Sequence, residues 1–230
     1  MIANRMRRSC FLAAAFLMCF APSAAFADGA CAKQIRGAIK ISGALPDVCQ
    51  TSTQLMPGRE VVLALWDTTP DSPADIPLAA VLDLKALQSG RREFLYRRKA
   101  MGESISPFLF EGKAVDFAIA DFYGNGRSGW AMWVIPDADY FFAVTTYDPV
   151  SKRWTETSIT ANYLDAMVEA SPGKILVPIC DAGGPAAHPT ANLYFDVYRV
   201  KHGRFERDDK RVRADSAPAA ERSKCARSAQ

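Results

Sequence analysis

Oxygen-bearing side chains and glycines are concentrated in residues 120–133, ADFYGNGRSGWAMW, between two apolar runs. Their spacing resembles that of a calcium loop, which has ligands at positions 1, 3 and 5, a glycine at 6 and a carbonyl at 7. With Asp121 at position 1, Asn125 is at position 5 and the carbonyl of Arg127 is at position 7. Position 3 is Tyr123, and the acids usual at later positions are missing. Calcium takes about six to eight oxygens, so the sequence favours a degenerate loop without calcium and predicts no cofactor.

Ser128, in the same loop, could instead act as a catalytic nucleophile. The run 126–129, GRSG, approaches the G-x-S-x-G turn that exposes a nucleophilic serine, but Trp130 stands where the second glycine belongs. That nucleophile needs a base, and His188 and His202 both lie in loops without a partner motif. We therefore predict that the protein is not an enzyme. The alternative is an envelope hydrolase that uses Ser128 or a carboxylate.

Aromatic and arginine side chains suit this region to binding. Tyr123 and Tyr140 lie at loop or strand ends, where a ring can anchor an interface. Arg127 lies at the loop tip, and its planar guanidinium can bind a carboxylate through two hydrogen bonds. We predict a binding site formed by Tyr123, Arg127, Ser128 and Tyr140, with a protein as partner.

Short strands must position these residues. Nine runs are rich in β-branched and aromatic residues and bounded by Gly, Pro, Asp or Ser: REVVLALWD, LAAVLDL, REFLYRR, VDFAIAD, GWAMWVI, YFFAVTTYD, RWTETSI, KILVPIC and NLYFDVYRV. They predict a mainly β fold of antiparallel hairpins in a propeller-like or sandwich arrangement. One short helix is expected at Ala161–Ala170, before Ser171-Pro172-Gly173. The stretch Ala114–Ile135 is apolar on both strand faces, which predicts a central position.

The N-terminus has the pattern of a secretory signal peptide. Residues 1–27 contain three arginines, then the apolar run Cys10–Ala21, then the cleavage pattern Ala25-Phe26-Ala27. The apolar run is shorter than the roughly 20 residues of a membrane span. We predict cleavage near Ala27, a periplasmic or secreted protein, and no membrane span.

Four cysteines follow the predicted signal peptide, and an even number in an oxidising compartment predicts two disulfides. Sequence cannot choose among the three possible pairings. We favour Cys31–Cys49 and Cys180–Cys225, because the two pairs would tie down the N-terminal and C-terminal segments. The predicted organisation is a signal peptide at 1–27, a disulfide-linked segment at 28–58, a β-rich domain at 59–213 and a polar tail at 214–230.

Net charge argues against nucleic acid as a partner. Of the 28 lysines and arginines, three lie in residues 1–27, which leaves 25 against 25 acidic residues. The mature chain therefore has no basic excess, and nucleic acid is not an expected partner after export.

The pattern of apolar strand, DFYGNGRSG and apolar strand resembles integrin-type propeller loops, written D-x-[ND]-G-[DN]-G-x-x-D. Tyr123 and Gly129 depart from that pattern; the matching residues are Asp121, Gly124, Asn125 and Gly126. With the following hairpin YDPVSKRW, the region is also similar to small exported bacterial proteins with a propeller-like fold, some of which inhibit lysozymes or confer immunity to peptidoglycan-cleaving effectors. The resemblance covers residues 115–154, under a fifth of the chain.

This resemblance implies an exported β-rich binding protein, and inhibition of a lysozyme-type hydrolase is its most concrete form. The expected mechanism is steric: the loop Asp121–Gly129 fills an enzyme cleft, and Arg127 meets a catalytic carboxylate. A structural protein of the envelope is a further alternative to the hydrolase using Ser128.

Overall fold

The structure is a computed structural model that describes residues 31–69, 71–100, 102–135, 140–161, 167–183 and 190–213. The predicted signal peptide and the polar tail lie outside these residues. The elements are α1 Lys33–Ala38, β1 Val48–Ser52, β2 Val61–Leu65, β3 Pro77–Asp83, α2 Leu84–Gln88, β4 Phe94–Lys99, β5 Ser104–Ser106, β6 Phe108–Phe110, β7 Lys113–Val115, β8 Phe117–Ala120, β9 Gly129–Ile135, β10 Tyr140–Asp148, β11 Arg153–Ala161, β12 Glu169–Ser171, β13 Lys174–Gly183, β14 Thr190–Lys201, β15 Arg204–Arg207 and β16 Val212–Arg213.

The strands form three sheets. The first has the order β1-β2-β3-β4, and the second has the order β11-β10-β9-β5, with β8 also paired to β9. The third has the order β15-β14-β13-β12-β6-β7, with β16 paired to β14. Strands β6 and β12 are parallel, and the other strand pairs are antiparallel. The predicted mainly β fold of antiparallel strands is therefore confirmed.

Each of the nine predicted runs contains a strand, namely β2, β3, β4, β8, β9, β10, β11, β13 and β14. The strands outside these nine runs are mostly two to four residues long, as in β5, β6, β7, β12, β15 and β16. A strand this short spans too few residues to show an alternating pattern of apolar and polar side chains.

The helix predicted at Ala161–Ala170 is wrong at both of its ends. Ala161 ends β11 and pairs with Tyr140, and Glu169 belongs to β12 and pairs with Leu176. Residues 162–166 lie outside the described part of the chain. Pairing with neighbouring strands outweighs the weak helix preference of a segment this short.

The second sheet is buried on both faces. One apolar cluster joins it to the first sheet and includes Val61, Leu63, Val81, Trp130 and Met132. A second cluster joins it to the third sheet and includes Phe108, Trp133, Phe142, Val144 and Val177. All four residues of β8 are buried, as are the first six of β9. This burial agrees with the predicted central position of Ala114–Ile135.

The N-terminal segment covers the other face of the first sheet. Cys31 and Cys49 form a disulfide with a Cα–Cα distance of 5.4 Å, as predicted. Both cysteines belong to a buried cluster with residues of α2, β2 and β3. Because β1 pairs with β2, the predicted boundary between residues 58 and 59 falls inside one sheet.

Cys180 also takes part in a disulfide. Its predicted partner, Cys225, lies outside the described residues. In the part of the chain that the structure describes, no helix has the length and apolar character needed to cross a bilayer.

Gly129, where the loop joins β9, lies against the neighbouring strand β10. A Cβ atom there would lie 2.7 Å from the carbonyl oxygen of Thr145 and 2.6 Å from Cγ2 of Thr146. We expect Gly129→Ala to lower the free energy of unfolding by about 1–3 kcal/mol, measured by urea denaturation. Gly37→Ala, in α1, is the control because its Cβ would meet no atom within 4 Å. Equal stability of the two variants would contradict this close packing.

Candidate functional site

The loop Asp121–Gly129 is held in shape by its own hydrogen bonds. Oδ1 of Asp121 accepts a hydrogen bond from the Asn125 amide at 3.1 Å, and Oδ2 accepts one from the Gly126 amide at 2.6 Å. Oδ1 of Asn125 accepts a hydrogen bond from the Arg127 amide at 3.0 Å. Gly124 and Gly126 have φ values of 64° and 80°, which glycine adopts without steric cost. The pattern of Asp, Asn and Gly therefore builds a turn that needs no ion to close.

The same hydrogen bonds involve the side-chain oxygens that were considered as calcium ligands. Both oxygens of Asp121 and the Asn125 oxygen accept amide hydrogen bonds, and Arg127 contributes only its carbonyl. Among the described residues, no three His, Cys, Asp or Glu side chains are grouped so that they could hold a metal ion. The loop itself thus offers two side chains and one carbonyl as oxygen ligands, against the about six to eight oxygens that calcium takes.

Calcium at 1 mM is expected to leave the melting temperature unchanged, because the loop supplies few ligands. A site with a dissociation constant of about 10 µM would instead stabilise the protein by about 2.7 kcal/mol at that concentration. Thermal unfolding with calcium, with magnesium and with chelator checks this. A rise in melting temperature with calcium alone would show that further oxygens complete a site.

Arg127 links the loop to the neighbouring hairpin turn. Its Nη1 donates a hydrogen bond to Oδ1 of Asp148 at 3.0 Å. Asp148 also accepts hydrogen bonds from the amides of Val150 and Ser151 at 3.2 Å and from the Ser151 hydroxyl at 2.7 Å. The Ser151 hydroxyl and the Val150 amide are the main causes of a lowered pKa of Asp148, and Arg127 adds to the effect. Asp148 is therefore ionised at neutral pH and holds its own turn together as well as the adjacent loop.

Residues 124–127 and 148–152 form what we call the two-turn surface. All of these residues are exposed except Asp148, which is half-buried. Val150 is 82% exposed, the largest value among the exposed large hydrophobic residues of the described chain. The Arg127 side chain is 46% exposed. The surface therefore presents a guanidinium and an aliphatic side chain from two turns that are joined by an ion pair.

Tyr123, predicted as a binding residue, packs inward from this surface. Its hydroxyl donates a hydrogen bond to Oγ1 of Thr157 at 2.9 Å, and its ring lies 4.9 Å from that of Phe205. Burial raises the pKa of Tyr123. Because both its ring and its hydroxyl contact the protein, Tyr123 supports the base of the loop.

Ser128 and Tyr140, both predicted as binding residues, lie in different parts of the second sheet and its loops. Ser128 is half-buried between the loop tip and β9, in a connection between two strands. Tyr140 begins β10, and the residue of β10 that pairs with Gly129, at the end of the loop, is Thr146. Tyr140 and Thr146 are six positions apart along the strand, which corresponds to a distance of about 20 Å. The structure therefore brings Tyr123, Arg127 and Ser128 together but does not bring Tyr140 to them.

His202, the histidine that the described residues contain, contacts a carboxylate of its own hairpin. His202 lies in the turn between β14 and β15, where its side chain is 85% exposed and its Nδ1 is 3.5 Å from Oε1 of Glu206. His188 lies outside the described residues.

A largely buried group of charged side chains is not indicated by the sequence. Nη2 of Arg98 lies 3.3 Å from Oε1 of Glu103, and Nε lies 3.2 Å from Oε2 of Glu156. The hydroxyl of Tyr96 donates a hydrogen bond to Oε2 of Glu156 at 3.1 Å. Glu103 and Glu156 are far apart in the chain, so no spacing in the sequence indicates that they share one arginine.

Known proteins were compared with this chain in three ways, and no family model, curated protein or solved structure matches it. Inferences about its function therefore come from the two-turn surface and from the sequence pattern.

Proposed function

We propose that the protein is exported and acts by binding rather than by catalysis, as a steric inhibitor of a lysozyme-type peptidoglycan hydrolase or as an immunity protein against one. The two-turn surface is the observation that carries this proposal. It presents Arg127 and Val150 from two turns that the contact between Arg127 and Asp148 joins and whose shapes are set by internal hydrogen bonds.

Rigid turns favour binding because less conformational entropy is lost when the complex forms. Each turn is fixed by an aspartate that accepts backbone hydrogen bonds, Asp121 in the first and Asp148 in the second. An exposed, preformed loop of this kind can enter a cleft without first being ordered. Val150 then supplies apolar area that is exposed in the free protein.

Arg127 gives this surface its chemical preference. Its ion pair with the half-buried Asp148 lies at the surface, and surface ion pairs contribute little to stability. A carboxylate of a partner can therefore replace Asp148 on the guanidinium, while Ser151 and two backbone amides continue to hold Asp148. Catalytic carboxylates line the clefts of lysozyme-type glycoside hydrolases, so such a cleft suits this surface.

The arrangement of the sheets supports a propeller-like fold in this proposal. Of the three largely antiparallel sheets, the second packs its two faces against the first and third. Successive propeller blades pack in this way, and the loop pattern at Asp121–Gly129 resembles loops of propellers. A sandwich of sheets is the alternative arrangement.

The test is a titration of lysozyme-type hydrolases with the purified mature chain. We expect stoichiometric loss of hydrolase activity and no cleavage of peptidoglycan by the chain itself. The Ser128→Ala variant should inhibit as strongly as the wild type. If the protein were instead a serine hydrolase, this substitution would abolish its own hydrolytic activity. If no hydrolase of this type is inhibited, the inhibitor function is wrong.

A further inference from the structure

The charged group around Arg98 lies where the first and second sheets meet. Tyr96 and Arg98 belong to β4 of the first sheet, Glu156 belongs to β11 of the second, and Glu103 lies in the connection that leads to β5. The ring of Phe141, from β10, lies 5.0 Å from the guanidinium carbon of Arg98. The group therefore joins the two sheets beside their shared apolar cluster.

Charge in this group is not balanced. Two carboxylates share one guanidinium, and the side chains of Arg98, Glu103 and Glu156 are 14%, 7% and 23% exposed. Oε2 of Glu103 is buried and has no hydrogen-bond partner among the residues that the structure describes. A buried carboxylate oxygen without a partner costs more free energy when the group is ionised. The arrangement thus holds one negative charge more than Arg98 can neutralise.

We propose that Glu103, Glu156 and Arg98 form a largely buried proton-binding site between the first and second sheets, in which Glu103 takes up one proton as the pH falls. Proton uptake leaves one carboxylate for one guanidinium. It therefore stabilises the packing of the two sheets. This proposal does not depend on the binding function proposed above.

The surroundings of Glu103 support the direction of this effect. Burial raises the pKa of Glu103 above its ordinary value, Arg98 opposes that shift, and Glu156 adds to it. Burial also raises the pKa of Tyr96, with a further contribution from Glu156, so this hydroxyl stays protonated and continues to donate to Glu156. Asp67, in the connection after β2, is a further carboxylate on this side of the first sheet. It accepts a hydrogen bond from the amide of Ile105, two residues after Glu103, at 3.2 Å.

The raised pKa of Glu103 determines how the stability of the fold depends on pH. The folded protein holds this proton more strongly than the unfolded chain does, so the proton stabilises folding fully below the ordinary pKa of 4.5. That stabilisation is lost as pH rises through the pKa of the folded state. Each unit by which the pKa is raised corresponds to about a tenfold change in the ratio of folded to unfolded protein.

Urea unfolding of the wild type and of Glu103→Gln between pH 4 and pH 8 tests the site. Glutamine imitates the protonated side chain, so we expect equal stability near pH 4 and a more stable variant at pH 8. At pH 8, the ratio of folded to unfolded protein is expected to be larger for the variant than for the wild type, by about tenfold for each unit by which the pKa of Glu103 is raised. A variant that is less stable than the wild type at pH 8, or whose pH profile is parallel to that of the wild type, would overturn the proposal.

Titration of the Glu103 carboxyl carbon by NMR in the folded wild type gives a readout that does not depend on the stability of the variant. We expect its midpoint above 4.5, and we expect Glu156→Gln to move that midpoint downward because a neighbouring negative charge is removed. A wild-type midpoint at or below 4.5, or no response to Glu156→Gln, would contradict a shared site.

Discussion

Replacement of both Cys31 and Cys49 by serine is expected to lower the free energy of unfolding by about 2–5 kcal/mol. The disulfide joins residues that are 18 positions apart and connects the segment before α1 to β1. Without this bond, the unfolded chain gains conformational freedom, and the N-terminal segment loses its covalent link to the first sheet.

Burial of both cysteines adds to the expected loss. Cys31 is 8% exposed and Cys49 is 7% exposed, and they lie in the cluster that includes Ile39, Val62 and Leu82. Serine hydroxyls at these positions would be placed among apolar side chains, where an unpaired polar group is costly.

Urea denaturation of the oxidised wild type and of the double serine variant measures this effect. The variant is preferred to reduction of the wild type, because a reductant also opens the disulfide of Cys180. A difference below about 1 kcal/mol, well under the usual effect of a native disulfide, would show that the pairing between β1 and β2 holds this segment without the bond.

The sequence predicted the strands well where their residues alternate or are apolar throughout. β9 and β10 are seven and nine residues long, with β-branched and aromatic side chains, so their patterns are clear. The helix predicted at Ala161–Ala170 fails at its ends because local preference gives no information about strand pairing. Ala161 pairs with Tyr140 and Glu169 with Leu176, contacts that only the tertiary structure specifies.

The candidate site was predictable only in part. The turn at Asp121–Gly129 follows from its own Asp, Asn and Gly residues, because these hydrogen bonds are local. The partner of Arg127 was not predictable, because Asp148 is 21 residues away and is placed beside it by the pairing of β9 with β10. For the same reason, nothing in the sequence indicates that Glu103 and Glu156 meet at Arg98.

Arg127→Ala is expected to weaken inhibition of a lysozyme-type hydrolase by about thirtyfold or more, the effect of about 2 kcal/mol at an interface hot spot. The guanidinium is the one group of the two-turn surface that can bind a catalytic carboxylate through paired hydrogen bonds. The fold should remain intact, because the Arg127 side chain is 46% exposed and contacts Asp148 at the surface.

Arg59→Ala is the matched control for this variant. The Arg59 side chain is 47% exposed and also forms ion pairs, with the mostly buried Asp83 at 3.5 Å and with the exposed Glu93 at 3.7 Å. It belongs to the segment that leads into β2 of the first sheet. Loss of an exposed arginine and its ion pair is thus reproduced away from the two-turn surface.

Inhibition constants of the wild type, Arg127→Ala and Arg59→Ala, measured against one inhibited hydrolase, test the role of the two-turn surface directly. We expect the Arg127→Ala constant to rise about thirtyfold or more and the Arg59→Ala constant to equal that of the wild type. Equal constants for all three proteins would contradict the insertion of this surface into the enzyme cleft.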